Sequence, residues 1–137
     1  GKVVRIDADG RAPADNPLAD AAGGRSKVWT LGHRNVQGIA VDAVTGEVWA
    51  HEHGPRGGDE LNRLAAGANY GWPVATFGLD YTGARVSPFT SRPGMVDPVD
   101  TWTPSIAPAG LAVYRGRLFA DWDGDLLVSA LAARHLE

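Results

Sequence analysis

Apolar residues in this chain fall in short runs broken by glycine, proline and aspartate. Val3 to Ile6, Lys27 to Thr30, Gly38 to Val41, Glu47 to His51 and Glu60 to Leu64 read as strands. A second cycle gives Met95 to Trp102, Ala109 to Tyr114 and Asp125 to Ala130, with Pro104, Pro108, Arg115-Gly116 and Trp122-Asp123-Gly124 between them. The step Asp42-Ala43-Val44-Thr45-Gly46 has the length and glycine placement of a tight hairpin. Arg11 to Lys27 is polar and turn-rich, a long loop in which Asn16 to Ala22 is expected to hold one helical turn before Gly23-Gly24 stops it. Strands roughly ten residues apart predict an all-β architecture. A weak repeat of about 60 residues fits propeller blades with large insertions, and a β-sandwich accounts for the same periodicity nearly as well.

The chain has 137 residues and a mass of 14.4 kDa, enough for a single compact domain over residues 1–137. Eighteen glycines and nine prolines spread along it make turns frequent and strands short. The net charge is −3, both signs are interspersed and no basic stripe forms, so a nucleic-acid partner is not expected. No apolar run reaches membrane length, so no membrane insertion is expected either. Cysteine is absent, which removes disulfides and thiolate metal sites. The abrupt strand-like start at Gly1-Lys2-Val3-Val4, and a strand in mid-fold near the other end, read as a piece of something larger.

The densest chemistry lies in His51-Glu52-His53-Gly54-Pro55-Arg56-Gly57-Gly58-Asp59-Glu60-Leu61-Asn62, between two strand-like segments. Such a loop reads about equally well as a solvated hairpin tip or as a turn presenting carbonyl oxygens, because proline lacks an N–H and glycine has no side chain to cover its backbone. Hard cations such as calcium take such oxygens. His51 and His53 are two apart, so on a strand they share one face and leave Glu52 on the other. That spacing, and the Gly-Pro step, exclude the helical zinc-protease motif.

Four blocks occur in series: Gly32-His33-Arg34-Asn35-Val36-Gln37-Gly38, the Glu52 to Asn62 loop, Gly67-Ala68-Asn69-Tyr70-Gly71-Trp72-Pro73, and Trp102-Thr103-Pro104-Ser105-Ile106-Ala107-Pro108. Together they resemble the soluble quinoprotein glucose dehydrogenase family, the pyrroloquinoline-quinone-dependent aldose sugar dehydrogenases. The resemblance spans nearly the whole chain and implies part of a six-bladed β-propeller, two to three blades, with the cofactor over the central channel.

By the same resemblance Arg34 and Asn35 contact the quinone, Arg34 being suited to a bidentate grip on a carboxylate. The alternative from the residues alone is that Arg34 pairs with Asp42 or Asp59. The family holds calcium on the backbone carbonyls of the Gly-Pro step, here Gly54 and Pro55, where it polarises the quinone. His53 stands where glucose-specific relatives carry glutamine and is expected to be cofactor-binding. Asp59 matches an acidic residue beside the reaction centre, in an auxiliary role, while Glu60 and Asn62 are expected to stabilise the turn. Ser105 falls where a small hydroxyl meets the quinone, and Asp80 is the candidate side-chain ligand of a second, structural calcium. Tyr70 and Trp72 are expected to fill space between blades. One departure is Ala132, where glucose-specific relatives have a cofactor-binding lysine.

The implied reaction is base-assisted hydride transfer from the anomeric carbon of an aldose to the calcium-bound quinone, giving a lactone. The parent is expected to be periplasmic or secreted. The family's catalytic histidine lies upstream of the matched region and its arginine pair downstream, so residues 1–137 alone are expected to be inactive and to self-associate through uncovered blade edges. A non-catalytic propeller interaction module is the rival reading, and a calcium-dependent lactonase with a cage of carboxylates and asparagines ranks third.

Overall fold

The computed structural model describes residues 1–137, which form three antiparallel sheets and one 3-10 turn at Ala120–Trp122. The first sheet pairs β1 (Lys2–Val4) with β2 (Val28–Leu31). The second is a four-stranded meander of β3 (Val36–Val41), β4 (Val48–Glu52), β5 (Asp59–Leu64) and β6 (Asp100–Trp102), each strand pairing with the next. The third joins β7 (Pro108–Val113), β8 (Leu126–Ala130) and β9 (His135–Leu136).

The hairpin expected at Asp42 to Gly46 joins β3 to β4. The Asp42 N–H donates to Glu47 O at 2.9 Å, and Gly46 takes φ +75°, which glycine adopts without the Cβ penalty. Asp42 also caps the turn by accepting from the Val44 N–H and the Thr45 hydroxyl.

Two expectations fail. The strand over Met95 to Trp102 shrinks to Asp100–Trp102. Pro98 has no N–H to give to a ladder, and Val96 and Val99 make single bonds to Asn69 O and Leu61 O. No helical turn forms at Asn16 to Ala22. Asp20 Oδ1 there accepts from the Ala22 and Gly24 N–H groups, and Asn16, 1% exposed, donates its amide to Arg5 O and Ser26 O. Local side-chain acceptors thus outcompete the helix and pin the loop across the first sheet.

The apolar core is small. Ala50, Leu64 and Tyr70 form its centre between the first two sheets, with Val3, Val36, Val48 and Ala68 against them. Buried polar groups instead dominate one end of the second sheet: His51, Glu52, Asp59, Glu60 and Asn62. Gly38 lets β3 approach β7, since a Cβ there would lie 3.1 Å from that of Leu111. Arg115, just after β7, reaches Asp42 with two parallel bonds of 3.1 and 2.7 Å. Apolar side chains remain uncovered beside the first sheet, where Val4, Ile6, Ile39 and Val41 are all more than half exposed around a groove of about 420 Å³.

Candidate functional site

The loop after β4 is not a solvated tip. Gly57, Gly58, Asp59 and Glu60 are buried, and the sequence leaves no room for larger residues there. A Cβ on Gly54 would lie 2.1 Å from Gly57 O, and one on Gly58 would lie 2.3 Å from Gly78 N. Arg56 exchanges backbone bonds with Leu79, so the 54–58 turn is closed against the 76–81 segment.

Asp59 organises this turn from below. It is fully buried, and its Oδ1 accepts from the Gly54 N–H at 2.9 Å. Its Oδ2 accepts from the Ser105 hydroxyl at 2.5 Å and the Ala107 N–H at 3.1 Å. Ala107 sits at φ +52°, a left-handed conformation that costs an L residue about 1 kcal/mol and that the Asp59 bond helps hold. One carboxylate therefore fixes both the Gly-Pro turn and the Ser105 loop and brings Asp59 and Ser105 together.

Glu52 organises the neighbouring turn. Its Oε2 accepts from the Arg34 and Asn35 N–H groups at 2.6 and 3.2 Å, and its Oε1 faces His33 Nδ1 at 2.7 Å. The His33 ring stacks on Tyr70 with centroids 4.8 Å apart, and its Nε2 meets the Thr30 hydroxyl at 2.8 Å. Glu52 lies opposite Glu60 in the β4–β5 register, with the Asn62 amide donating to both. Burial, and then the Glu52 charge, push the Glu60 carboxyl up to about 7. Glu60 and Asn62 consequently serve the buried interior beneath Glu52 and do not brace the turn, contrary to expectation.

Arg34 pairs with neither Asp42 nor Asp59. Its guanidinium donates to His53 O and Gly54 O, both at 3.0 Å, and to the Tyr81 hydroxyl at 3.1 Å. It lies over the Trp72 ring, 5.4 Å from the centroid, so Trp72 supports the cation in addition to any packing role. Asn35 is exposed beside it, with its side-chain oxygen accepting from Gln37. No carboxylate neutralises Arg34 or the exposed Arg56. A groove of about 710 Å³ opens at Arg56, lined by Pro55, Gly57, Tyr81, Thr103 and Ser105 among others, and Arg34 meets it through the Tyr81 hydroxyl.

The histidines divide as strand alternation requires. His51 and His53 both face β7, and Glu52 faces the other way. His53 Nε2 donates to Pro108 O at 2.8 Å. His51 is sealed with neither ring nitrogen partnered, and desolvation pushes its pKa down, which keeps it neutral. His135 pairs with Glu137 on the edge strand of the third sheet.

The donor set bears on metals as well. No three His, Asp or Glu side chains gather as a cage. Asp80 turns its carboxylate onto the Thr82 N–H at 2.8 Å, and that bond holds its carboxyl below the usual range. At the Gly-Pro step the Gly54 carbonyl already accepts from Arg34, while Pro55 lines the groove. A cation seated on Gly54 O would share that oxygen with the guanidinium.

Glu52, Trp72, Tyr81 and Thr103 are the contributors that the sequence did not assign to the site. Tyr81 lies 47 residues from Arg34, and no linear spacing links them.

Residues 1–137 match the glucose/sorbosone dehydrogenase family along their whole length. The chain is 41% identical over 133 residues to an aldose sugar dehydrogenase of Escherichia coli, covering 96% of this chain and 36% of that one. It superimposes on a crystal structure of glucose dehydrogenase with TM-score 0.92 and 46% identity, covering 99% of this chain and 40% of the other. It also superimposes on the PQQ-bound form of aldose sugar dehydrogenase from Streptomyces coelicolor, with TM-score 0.73, 34% identity, and 99% and 34% coverage. The chain spans about a third of the length of the curated relatives it matches, 33% of one and 36% of another. The architecture is therefore that of β-propeller blades and not a sandwich, with the four-stranded sheet as one blade and parts of its neighbours on either side. Match and superposition extend through all four sequence blocks and the clasped turns that carry Arg34, Gly54 and Asp59, and the chain belongs to the glucose/sorbosone dehydrogenase family.

Proposed function

We propose that the groove bounded by Pro55, Tyr81 and Ser105, with Arg34 behind Tyr81, seats pyrroloquinoline quinone with a calcium ion, and that the full-length protein oxidises an aldose at its anomeric carbon to the lactone. The observation that carries this reading is the uncompensated guanidinium of Arg34. It is held by two carbonyls and a phenol, laid over an aromatic ring and free of any ion pair, and the Tyr81 hydroxyl that it bonds lines a groove with no carboxylate in its wall. A planar quinone bearing carboxylates suits such a site, because a guanidinium fork grips a carboxylate along two bonds.

Arg34 and Asn35 would hold the cofactor, with His53 and Ser105 bounding it. The backbone oxygens of Gly54 and Pro55 would hold calcium, and Asp80 would serve a second, structural calcium. When bound, the quinone accepts two electrons and the calcium supplies Lewis-acid polarisation. Asp59 keeps the Gly-Pro turn and Ser105 in register, and the buried Glu52 does so for the Arg34 turn. His33 is bonded at both ring nitrogens, His51 is sealed, His53 gives Nε2 to Pro108 O and His135 is on another sheet. The base that takes the sugar proton accordingly comes from outside residues 1–137 in this reading. The setting is periplasmic or secreted.

Dye-linked oxidation of aldoses by the full-length protein, supplied with quinone and calcium, tests the assignment. Turnover dependent on both is expected, and its absence with folded protein would favour an interaction module. Residues 1–137 alone are expected to show no turnover and to self-associate in sedimentation equilibrium. Their surface of 8080 Å² exceeds the roughly 6,800 Å² of a compact monomer of this mass, and Val4, Ile6, Ile39 and Val41 are among its exposed apolar side chains.

A further inference from the structure

Two carboxylates facing each other across a buried ladder cost stability, yet Glu52 and Glu60 do so at 4% and 8% exposure. Glu52 offsets this with donors from three directions. The consecutive N–H groups of Arg34 and Asn35 converge on one oxygen, and His33 and Asn62 meet the other. Its carboxylate has no lysine or arginine partner and holds a backbone turn.

The consequence for the site is geometric. Glu52 lies at the end of β4, two residues before Gly54, so the strand that leads into the Gly-Pro turn also clasps the turn that carries Arg34. The His53 N–H returns a bond to Asn35 O at 3.0 Å, and the Arg34 guanidinium returns two more to His53 O and Gly54 O. The turns at 33–35 and 53–55 are thereby locked face to face. Thr30 and Tyr70 fix the His33 ring that orients the clasp.

We infer that Glu52 is a positioning residue for the cofactor site, acting through the backbone of Arg34 and Asn35 while remaining out of reach of any ligand. This rests on the quinone reading of Arg34. Charge-assisted bonds to two adjacent amides set where the guanidinium leaves the backbone, and a bidentate grip tolerates little displacement. A glutamine at this position keeps the size but loses the charge, and with its one oxygen turned to the two amides its N–H₂ group is set against the Asn62 amide donor.

The test is a quinone titration of the full-length protein with calcium, followed by fluorescence, for wild type, Glu52→Gln, Arg34→Ala and the double variant. Glu52→Gln is expected to raise the quinone Kd at least tenfold on its own and less than threefold in the Arg34→Ala background. A purely structural role would give the same factor in both backgrounds. That result, or an unchanged Kd in Glu52→Gln, would overturn the inference while leaving the cofactor reading intact. A wild type without saturable binding would overturn the cofactor reading and this inference with it. Should Glu52→Gln not fold, His33→Phe keeps a ring against Tyr70 but removes the Nδ1 donor. It is read the same way, with a Kd rise that vanishes in the Arg34→Ala background expected and an unchanged or background-independent Kd contradicting.

Discussion

The two ends of the four-stranded sheet use buried carboxylates for opposite purposes. At the hairpin end, Asp42 takes Arg115 through two parallel bonds and ties the sheet to the strand order that follows. At the other end, Asp59 has neither lysine nor arginine beside it and is satisfied by two backbone N–H groups and a hydroxyl. Glu52 likewise spends its oxygens on adjacent amides and one imidazole. A carboxylate cancelled by a cation joins elements. One satisfied by amides shapes loops, and it leaves the nearby guanidinium of Arg34 available to something else.

The sharpest way to break this contrast is Asp59→Ala. It removes an acceptor from three donors at once, the Ala107 N–H keeping only Ser105 Oγ, and a cost of about 3 kcal/mol in urea unfolding is expected, together with loss of quinone binding. A stability change under 1 kcal/mol, on this order-of-magnitude scale, would mean that the loops hold themselves. Gly54→Ala comes next, because its Cβ would press to 2.1 Å from Gly57 O. Quinone-dependent calcium binding by the full-length protein should weaken more than tenfold, roughly 1.4 kcal/mol, whereas Arg56→Ala should stay within about threefold. Equal losses in calorimetry would argue against carbonyl ligation.

Arg34→Lys is a smaller perturbation. Lysine keeps the charge but loses the planar fork, so the quinone Kd should rise severalfold with the melting temperature unchanged, and an unaltered titration would remove Arg34 from the site. Smallest at the site, and confined to the hairpin end, is Arg115→Ala. Arg115, then Thr45 and the Val44 N–H, hold the Asp42 carboxyl far below its ordinary value, so its contribution is complete above pH 3.8 and is lost as pH falls below that. Without Arg115 the contribution shrinks at neutral pH. The variant should melt at a lower temperature at pH 7, with the difference from wild type narrowing in acid and quinone affinity unchanged. A changed affinity would couple the two ends.

How far these features could be read from the sequence follows the same division. The strands, the Asp42 hairpin and the four blocks with Arg34, Gly54, Asp59 and Ser105 were legible because alternation, turn chemistry and family resemblance are local or collinear signals. Asp42 gave itself away as a turn residue but not as the partner of Arg115, 73 positions later. Glu52 sat in the most conspicuous loop yet read only as the residue on the far face, because its partners at 33–35 and 62 meet it across the sheet and not along the chain. For the same reason Tyr81 has no role legible in the sequence and Trp72 reads as a space filler, while the helical turn expected at Asn16 to Ala22 loses to side-chain bonds from Asn16 and Asp20.

The central claim is that the amide-satisfied end of this sheet exists to hold an anionic cofactor on Arg34. Isothermal titration of the full-length protein with pyrroloquinoline quinone in calcium, alongside its Arg34→Ala and Arg115→Ala variants, addresses it most directly. The account predicts one saturable site, weakened at least tenfold by Arg34→Ala and untouched by Arg115→Ala. Binding that survives Arg34→Ala at wild-type affinity, or fails equally in both variants, would contradict it.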